Sequence, residues 1–134
     1  MKHDIHHITI CPGTLKEGYE GYSPAVLRHM YSNKKVSHIL DLPPPDPMDY
    51  QEVYLENRER ISLSGVQEKM SMVLDKNKLR LTRSGEQGQY ILKPMPGEVK
   101  KAFDVPANEH LTMQLASQVY GIHTAQNALV FFDD

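Results

Sequence analysis

Three short stretches of this chain carry residue types suited to holding phosphate. The first is Arg60-Ile61-Ser62-Leu63-Ser64-Gly65-Val66-Gln67-Glu68-Lys69. Small residues there let backbone N–H groups approach anionic oxygens closely, and Gly65 adds freedom to turn. Gln67 and Lys69 can supply side-chain donors beside them. The second is Tyr90-Ile91-Leu92-Lys93-Pro94, in which Lys93 ends a short apolar run and offers an ammonium to phosphate oxygens. The third is Pro106-Ala107-Asn108-Glu109-His110. Glu109, near the start of a helix, can pair with Lys93 and hold it extended. There it also gains from the positive end of the helix dipole, worth about 0.3–1 kcal/mol if exposed. Each stretch has a plainer reading when taken singly. A Ser-Gly run before a strand is usually a turn, a strand-end lysine a solvated charge, and a first-turn glutamate a cap.

The elements that must position these residues follow from periodicity. Met70, Met72 and Leu74 alternate with Ser71, Val73 and Asp75, the pattern of a strand with one deeper face. Asp75-Lys76-Asn77-Lys78 supplies turn residues and Leu79-Arg80-Leu81 alternates again, which predicts a hairpin. Tyr90 to Lys93 is a short strand stopped by Pro94 and by Pro96-Gly97. Pro106 to Tyr120 has the helical period, with Leu111, Leu115 and Val119 four residues apart and Gly121 as its C-cap. Ala125 to Phe132 reads as a last strand. The expectation is an α+β fold: a small, mostly antiparallel sheet with one covering helix, an order that kinase small lobes share with many unrelated domains. Val66, Leu74, Ile91, Leu111, Leu115 and Val130 are assigned to its core.

Upstream, Leu42-Pro43-Pro44-Pro45-Asp46-Pro47 excludes helix and inner strand. It divides the chain into a small N-terminal module with linker, residues 1–47, and a second unit, residues 48–134. A polar helix is expected over Met48 to Arg60, capped by Asp49. Within the module, Ser23-Pro24 is a start signal for a helix over Ala25 to Tyr31.

Composition narrows the function classes. With 134 residues and a net charge of -2, the chain has no basic footprint for direct nucleic-acid binding. No run approaches the ~18 apolar residues of a membrane helix, and no signal peptide is evident at the N-terminus, so a cytoplasmic location is expected. Cys11 is the single cysteine and cannot form an internal disulfide. With two of His3, His6 and His7 it could take a metal, but a buried or solvated thiol among surface histidines is the better reading, and no metal site is assigned.

The three stretches, in this order and spacing, strongly resemble the HipA family of serine/threonine kinases from bacterial toxin–antitoxin modules. The resemblance runs from about Ile61 to the end. It implies that Ser64, Gly65, Val66, Gln67 and Lys69 cover nucleotide phosphates, that Lys93 binds them, and that Glu109 holds Lys93. It also implies regulatory autophosphorylation at Ser62 or Ser64, with Ser62 the better match. A branch of the family begins with a cysteine-containing module, of which Cys11 to Ser37 looks like a counterpart lacking the second cysteine of a Cys-x-x-Cys pair.

The resemblance also carries an expectation about activity. The chain is read as the ATP-binding N-terminal lobe of such a kinase. ATP and magnesium are expected only with the complete enzyme, and no catalytic residue is assigned within this chain, so alone it should not complete phosphoryl transfer. The expected partners are an antitoxin protein, a C-terminal kinase lobe and a protein substrate such as an aminoacyl-tRNA synthetase. The alternative is a non-catalytic interaction module that binds an antitoxin or a complementary kinase lobe.

Overall fold

A computed structural model of the chain describes residues 4–42, 69–94 and 104–133. The proline-rich run, the expected helix over Met48 to Arg60, and the loop residues Ser62, Ser64, Gly65, Val66 and Gln67 lie outside the described residues.

The first helix, α1 (Pro24–Tyr31), begins as its sequence signals. Ser23 is the N-cap and its side chain accepts from the Val26 N–H, while Pro24 occupies a position where no intrahelical donor is needed. Ser32 ends the helix in the left-handed conformation and returns its N–H to the Leu27 carbonyl. Beyond it runs the short strand β1 (Ile39–Leu40).

The expected hairpin is present. Strands β2 (Met70–Asp75) and β3 (Lys78–Leu81) pair antiparallel, with Asp75 opposite Lys78 and Met72 opposite Leu81. Strand β4 (Tyr90–Leu92) pairs antiparallel with the other edge of β2, Met70 opposite Leu92 and Met72 opposite Tyr90. The sheet order is therefore β3-β2-β4. The loop entering β4 crosses tightly over β2: a Cβ at Gly88 would collide with the Ser71 hydroxyl. Gln89 reinforces the crossing, its N–H donating to the Met72 carbonyl and its side-chain oxygen accepting from the Leu74 N–H.

Helix α2 (Asp104–Gln118) tolerates Pro106 because it falls in the first turn. Gly121, with φ of 63°, follows the helix, and the Ile122 N–H returns to the Ala116 carbonyl. The last strand, β5 (Phe131–Phe132), is shorter than its sequence suggests. It does not join the antiparallel sheet but pairs parallel with β1, Ile39 beside Phe131. The architecture is thus α+β, with a three-stranded antiparallel sheet and a separate two-stranded parallel one.

The core also lies elsewhere than expected. Its buried members are Cys11, Tyr22, Val26, Tyr31 and Val36, with Leu74, Leu79 and Tyr90 packed against it. Aromatic contacts do much of the joining: the Tyr31 ring lies tilted against Tyr22 at 5.4 Å and against Tyr90 at 5.7 Å between centroids. Tyr22 donates its hydroxyl to the Leu129 carbonyl at 2.7 Å, and Tyr90 donates to the Met30 carbonyl at 2.6 Å. Of the residues assigned to the core from the sequence, Leu74 and Val130 are half-buried. Ile91, Leu111 and Leu115 are exposed. The reason is rotational. The covered stripe of α2 contains Pro106, Glu109, His110 and Met113, so the leucine row, one residue further round, faces solvent.

Candidate functional site

Strand alternation decides which residues meet at the sheet. Met70 and Met72 point to the core, whereas Lys69, Ser71 and Ile91 lie on the opposite, exposed face. Lys93 follows β4 on that open face, immediately before a buried Pro94. The β2–β4 register, continued by one residue beyond Met70 and Leu92, brings Lys69 across from Lys93. Two ammonium groups therefore share one end of the sheet.

Glu109 reaches this end from α2. Its Oε1 accepts from Lys93 Nζ at 2.6 Å, with the two side chains 35% and 41% exposed. Since an ammonium has three N–H donors, the contact leaves two for another acceptor. At this exposure the pair adds at most about 1 kcal/mol to stability. Its main consequence is geometric, because the carboxylate fixes where the flexible lysine ends. The dipole argument for Glu109 does not hold. The helix starts at Asp104, which is the acid of the first turn, and Glu109 sits in the second turn, where the dipole's effect has faded.

Next to Glu109 in the helix lies a buried polar anchor. His110 is only 4% exposed and its Nδ1 lies 2.7 Å from Asn127 Oδ1. Gln114 Nε2 donates to the same oxygen at 3.0 Å, and Asn127 Nδ2 donates to the Ala125 carbonyl. An amide oxygen only accepts, so Nδ1 carries the proton and Nε2 does not. Nε2 is buried with no partner among the described residues. Burial pushes the His110 pKa down, against the opposing effect of the Asn127 contact. Sequence reasoning missed this anchor: His110 follows Glu109 directly, but nothing local marks Asn127 as its partner.

Cys11 is fully buried, and its Sγ accepts from the Ser23 N–H at 3.2 Å and the Thr14 N–H at 3.5 Å. Burial raises its pKa, but the Thr14 hydroxyl together with the backbone donors of Thr14, Ser23 and Gly13 outweighs it and brings the thiol to about 7. His7 pairs instead with Asp4 at 2.6 Å and His6 with Asp133 at 3.5 Å. No group of three or more metal-ligating side chains occurs among the described residues. No helix among them is long and apolar enough to cross a membrane.

The family model of the HipA-like C-terminal domain matches residues 61–134, more than half of the chain. The chain belongs to the HipA-like C-terminal domain family. It is also 29% identical over 125 residues to a protein of Haemophilus influenzae named "Putative kinase", a match covering 93% of this chain and 34% of the relative. The chain thus spans about a third of that relative's length. The family resemblance read from the three stretches stands, but its placement is corrected. Residues 61–134 belong to the HipA-like C-terminal domain, so they are not an N-terminal lobe. The physical reason is that a lysine–glutamate pair on a sheet identifies a kind of site. It does not say where a family divides its chain.

Proposed function

We propose that the chain is the phosphate-gripping portion of the HipA-like C-terminal domain of a kinase. The observation that carries this reading is the contact of Lys93 Nζ with Glu109 Oε1 at 2.6 Å on the open face of the sheet. Lys93, oriented by Glu109, donates its two remaining N–H groups to the phosphate oxygens of a nucleoside triphosphate, ATP in the first instance. Lys69, across the strand pair, adds a second positive charge to a ligand of high negative charge. His110 and Asn127 act at one remove, holding the turn of α2 that carries Glu109. The acceptor, by resemblance, is a serine or threonine hydroxyl of a protein.

Titration of the 15N-labelled chain with ATP and, separately, with adenosine tests the reading. ATP is expected to shift the amide signals around Lys69 and Lys93 and the Lys93 side chain, while adenosine leaves them in place. Equal responses to both ligands would show that the contact is not with phosphate and would refute the assignment.

A further inference from the structure

Helix α2 turns its leucine row to solvent, and of its described side chains His110 alone is fully buried. A helix of 15 residues is marginal in water without tertiary support, so a few contacts decide where α2 sits. One of them is the Lys93–Glu109 pair at the sheet. The others involve the loop Cys11 to Thr14 and the segment 125–129. His110 and Gln114 meet Asn127, and the backbone of Pro12 and Gly13 faces the His110 imidazole. One helical turn beyond Gln114, Gln118 Nε2 donates to the Thr14 carbonyl at 2.9 Å.

The loop itself is fixed to the N-terminal module. Cys11 has no exposed surface, and its Sγ accepts from the N–H of Ser23, the N-cap of α1. Its own N–H donates to the Lys16 carbonyl and its carbonyl accepts from the Leu15 N–H, each at 2.9 Å, which closes the turn. Gly13 lies so close to α1 that a Cβ there would collide with the Val26 side chain. The Pro12 carbonyl accepts from the Leu129 N–H at 3.0 Å, and the Leu129 carbonyl accepts from the Tyr22 hydroxyl at 2.7 Å. Loop, α1 and the segment 125–129 are thus tied together, and α2 rests on them.

We infer that the loop Cys11 to Thr14 is a latch that couples docking of the N-terminal module to the Lys93–Glu109 contact. With the loop in place, α2 is held where Glu109 meets Lys93. When the loop lifts, Gln118 loses the Thr14 carbonyl, His110 loses the backbone packed on its ring, and Glu109 moves away from Lys93. A contact made only in the docked state stabilises that state, so the coupling runs both ways: loss of the Lys93–Glu109 contact favours lifting of the loop. The coupling belongs to the chain without any ligand and does not rest on the phosphate reading. Its consequence for a phosphate held by Lys93 does.

The test uses the full 134-residue chain without nucleotide. Cys11 is its single cysteine and is fully buried, so the rate at which an aromatic disulfide reagent labels it in native buffer reports how often the loop lifts. Lys93→Ala is expected to speed labelling about twofold to fivefold, the equivalent of a half-exposed ion pair. Gln118→Ala, which removes one exposed hydrogen bond, is expected to speed it about threefold to tenfold. The same variant should move the Lys93 side-chain NMR signals towards their positions in Glu109→Gln. Glu86→Gln breaks the Arg80 contact on β3, outside the latch, and is expected to leave the labelling rate unchanged. An unchanged rate in Lys93→Ala overturns the inference, as do Lys93 signals that stay in place in Gln118→Ala. Equal acceleration by Glu86→Gln and Lys93→Ala also overturns it, because labelling then follows global unfolding rather than the loop.

Discussion

The His110 anchor makes a prediction whose sign depends on which hydrogen-bonding group is left stranded. In Asn127→Ala the oxygen 2.7 Å from His110 Nδ1 disappears, leaving the proton of a 4% exposed imidazole without its side-chain acceptor. A stranded buried donor costs about 1–3 kcal/mol, and the lost contact with Gln114 adds to it. In His110→Leu the lost bond is a neutral one worth about 0.5–1.5 kcal/mol, and the unpaired Nε2 goes with it. His110→Leu should therefore cost less than about 1 kcal/mol at pH 8, and Asn127→Ala clearly more. The pH dependence follows from the same burial. Because the folded state depresses the His110 pKa below 6.5, the unfolded chain binds more protons below that value. The stability contribution is full above pH 6.5 and is lost as pH falls towards the folded value, with a slope of at most about 1.4 kcal/mol per pH unit. His7 acts in the opposite sense, since its pairing with Asp4 raises its pKa. Its contribution is present below 6.5 and is lost as pH rises through the folded value. The difference between His110→Leu and the parent removes the His7 effect. Urea unfolding followed by circular dichroism between pH 5 and 8 measures both quantities. If Asn127→Ala proves milder than His110→Leu, or the parent and His110→Leu share one pH slope, the reasoning about this anchor is wrong.

Three other predictions address separate parts of the account. Lys93→Ala should weaken ATP binding by about tenfold or more while changing urea stability by less than about 1 kcal/mol, since the Glu109 contact is half-exposed. Calorimetry and denaturation of the same sample separate the two effects, and Lys93→Arg should fail to restore affinity because a planar guanidinium does not replace a compact ammonium. Glu86→Gln removes the two-point contact with Arg80, at 2.7 Å for each bond, which is the main reason the Glu86 carboxyl sits at about 2. Its contribution is present above pH 4.5 and is lost as pH falls through about 2, so the melting temperatures of variant and parent should differ at pH 7 and converge near pH 2. Gly88→Ala should lower the melting temperature by forcing the Ser71 hydroxyl aside, and Ser71→Ala in the same chain should recover most of the loss.

Local signals were legible in the sequence and long-range ones were not. Turn residues at Asp75 to Lys78, alternation at Met70 to Leu74 and the Ser23-Pro24 start signal each act within a few residues, and each corresponds to an observed element. The parallel pairing of β1 with β5 joins residues more than ninety positions apart and carries no local mark. The core was misplaced for a related reason. Aliphatic periodicity drew attention to Leu111 and Leu115, whereas the packing centres on Tyr22, Tyr31 and their partners in a segment that looks polar by composition. At the candidate site, Lys93 and Glu109 were legible by type and spacing, and the structure brings them into contact. Their support by His110 and Asn127 was not, because a buried polar pair has no pattern of its own.

The central claim is that Lys93 meets the phosphates of a bound nucleotide, and lysine-directed labelling tests it most directly. An acyl-phosphate derivative of ATP transfers its acyl group to an amine held against the phosphate chain, and peptide mass spectrometry then identifies the modified residue. The account predicts preferential acylation of Lys93, with Lys69 second, suppressed by excess ATP and not by adenosine. Labelling spread over the exposed lysines without protection by ATP, or concentrated at Lys78 on the far edge of the sheet, would contradict it.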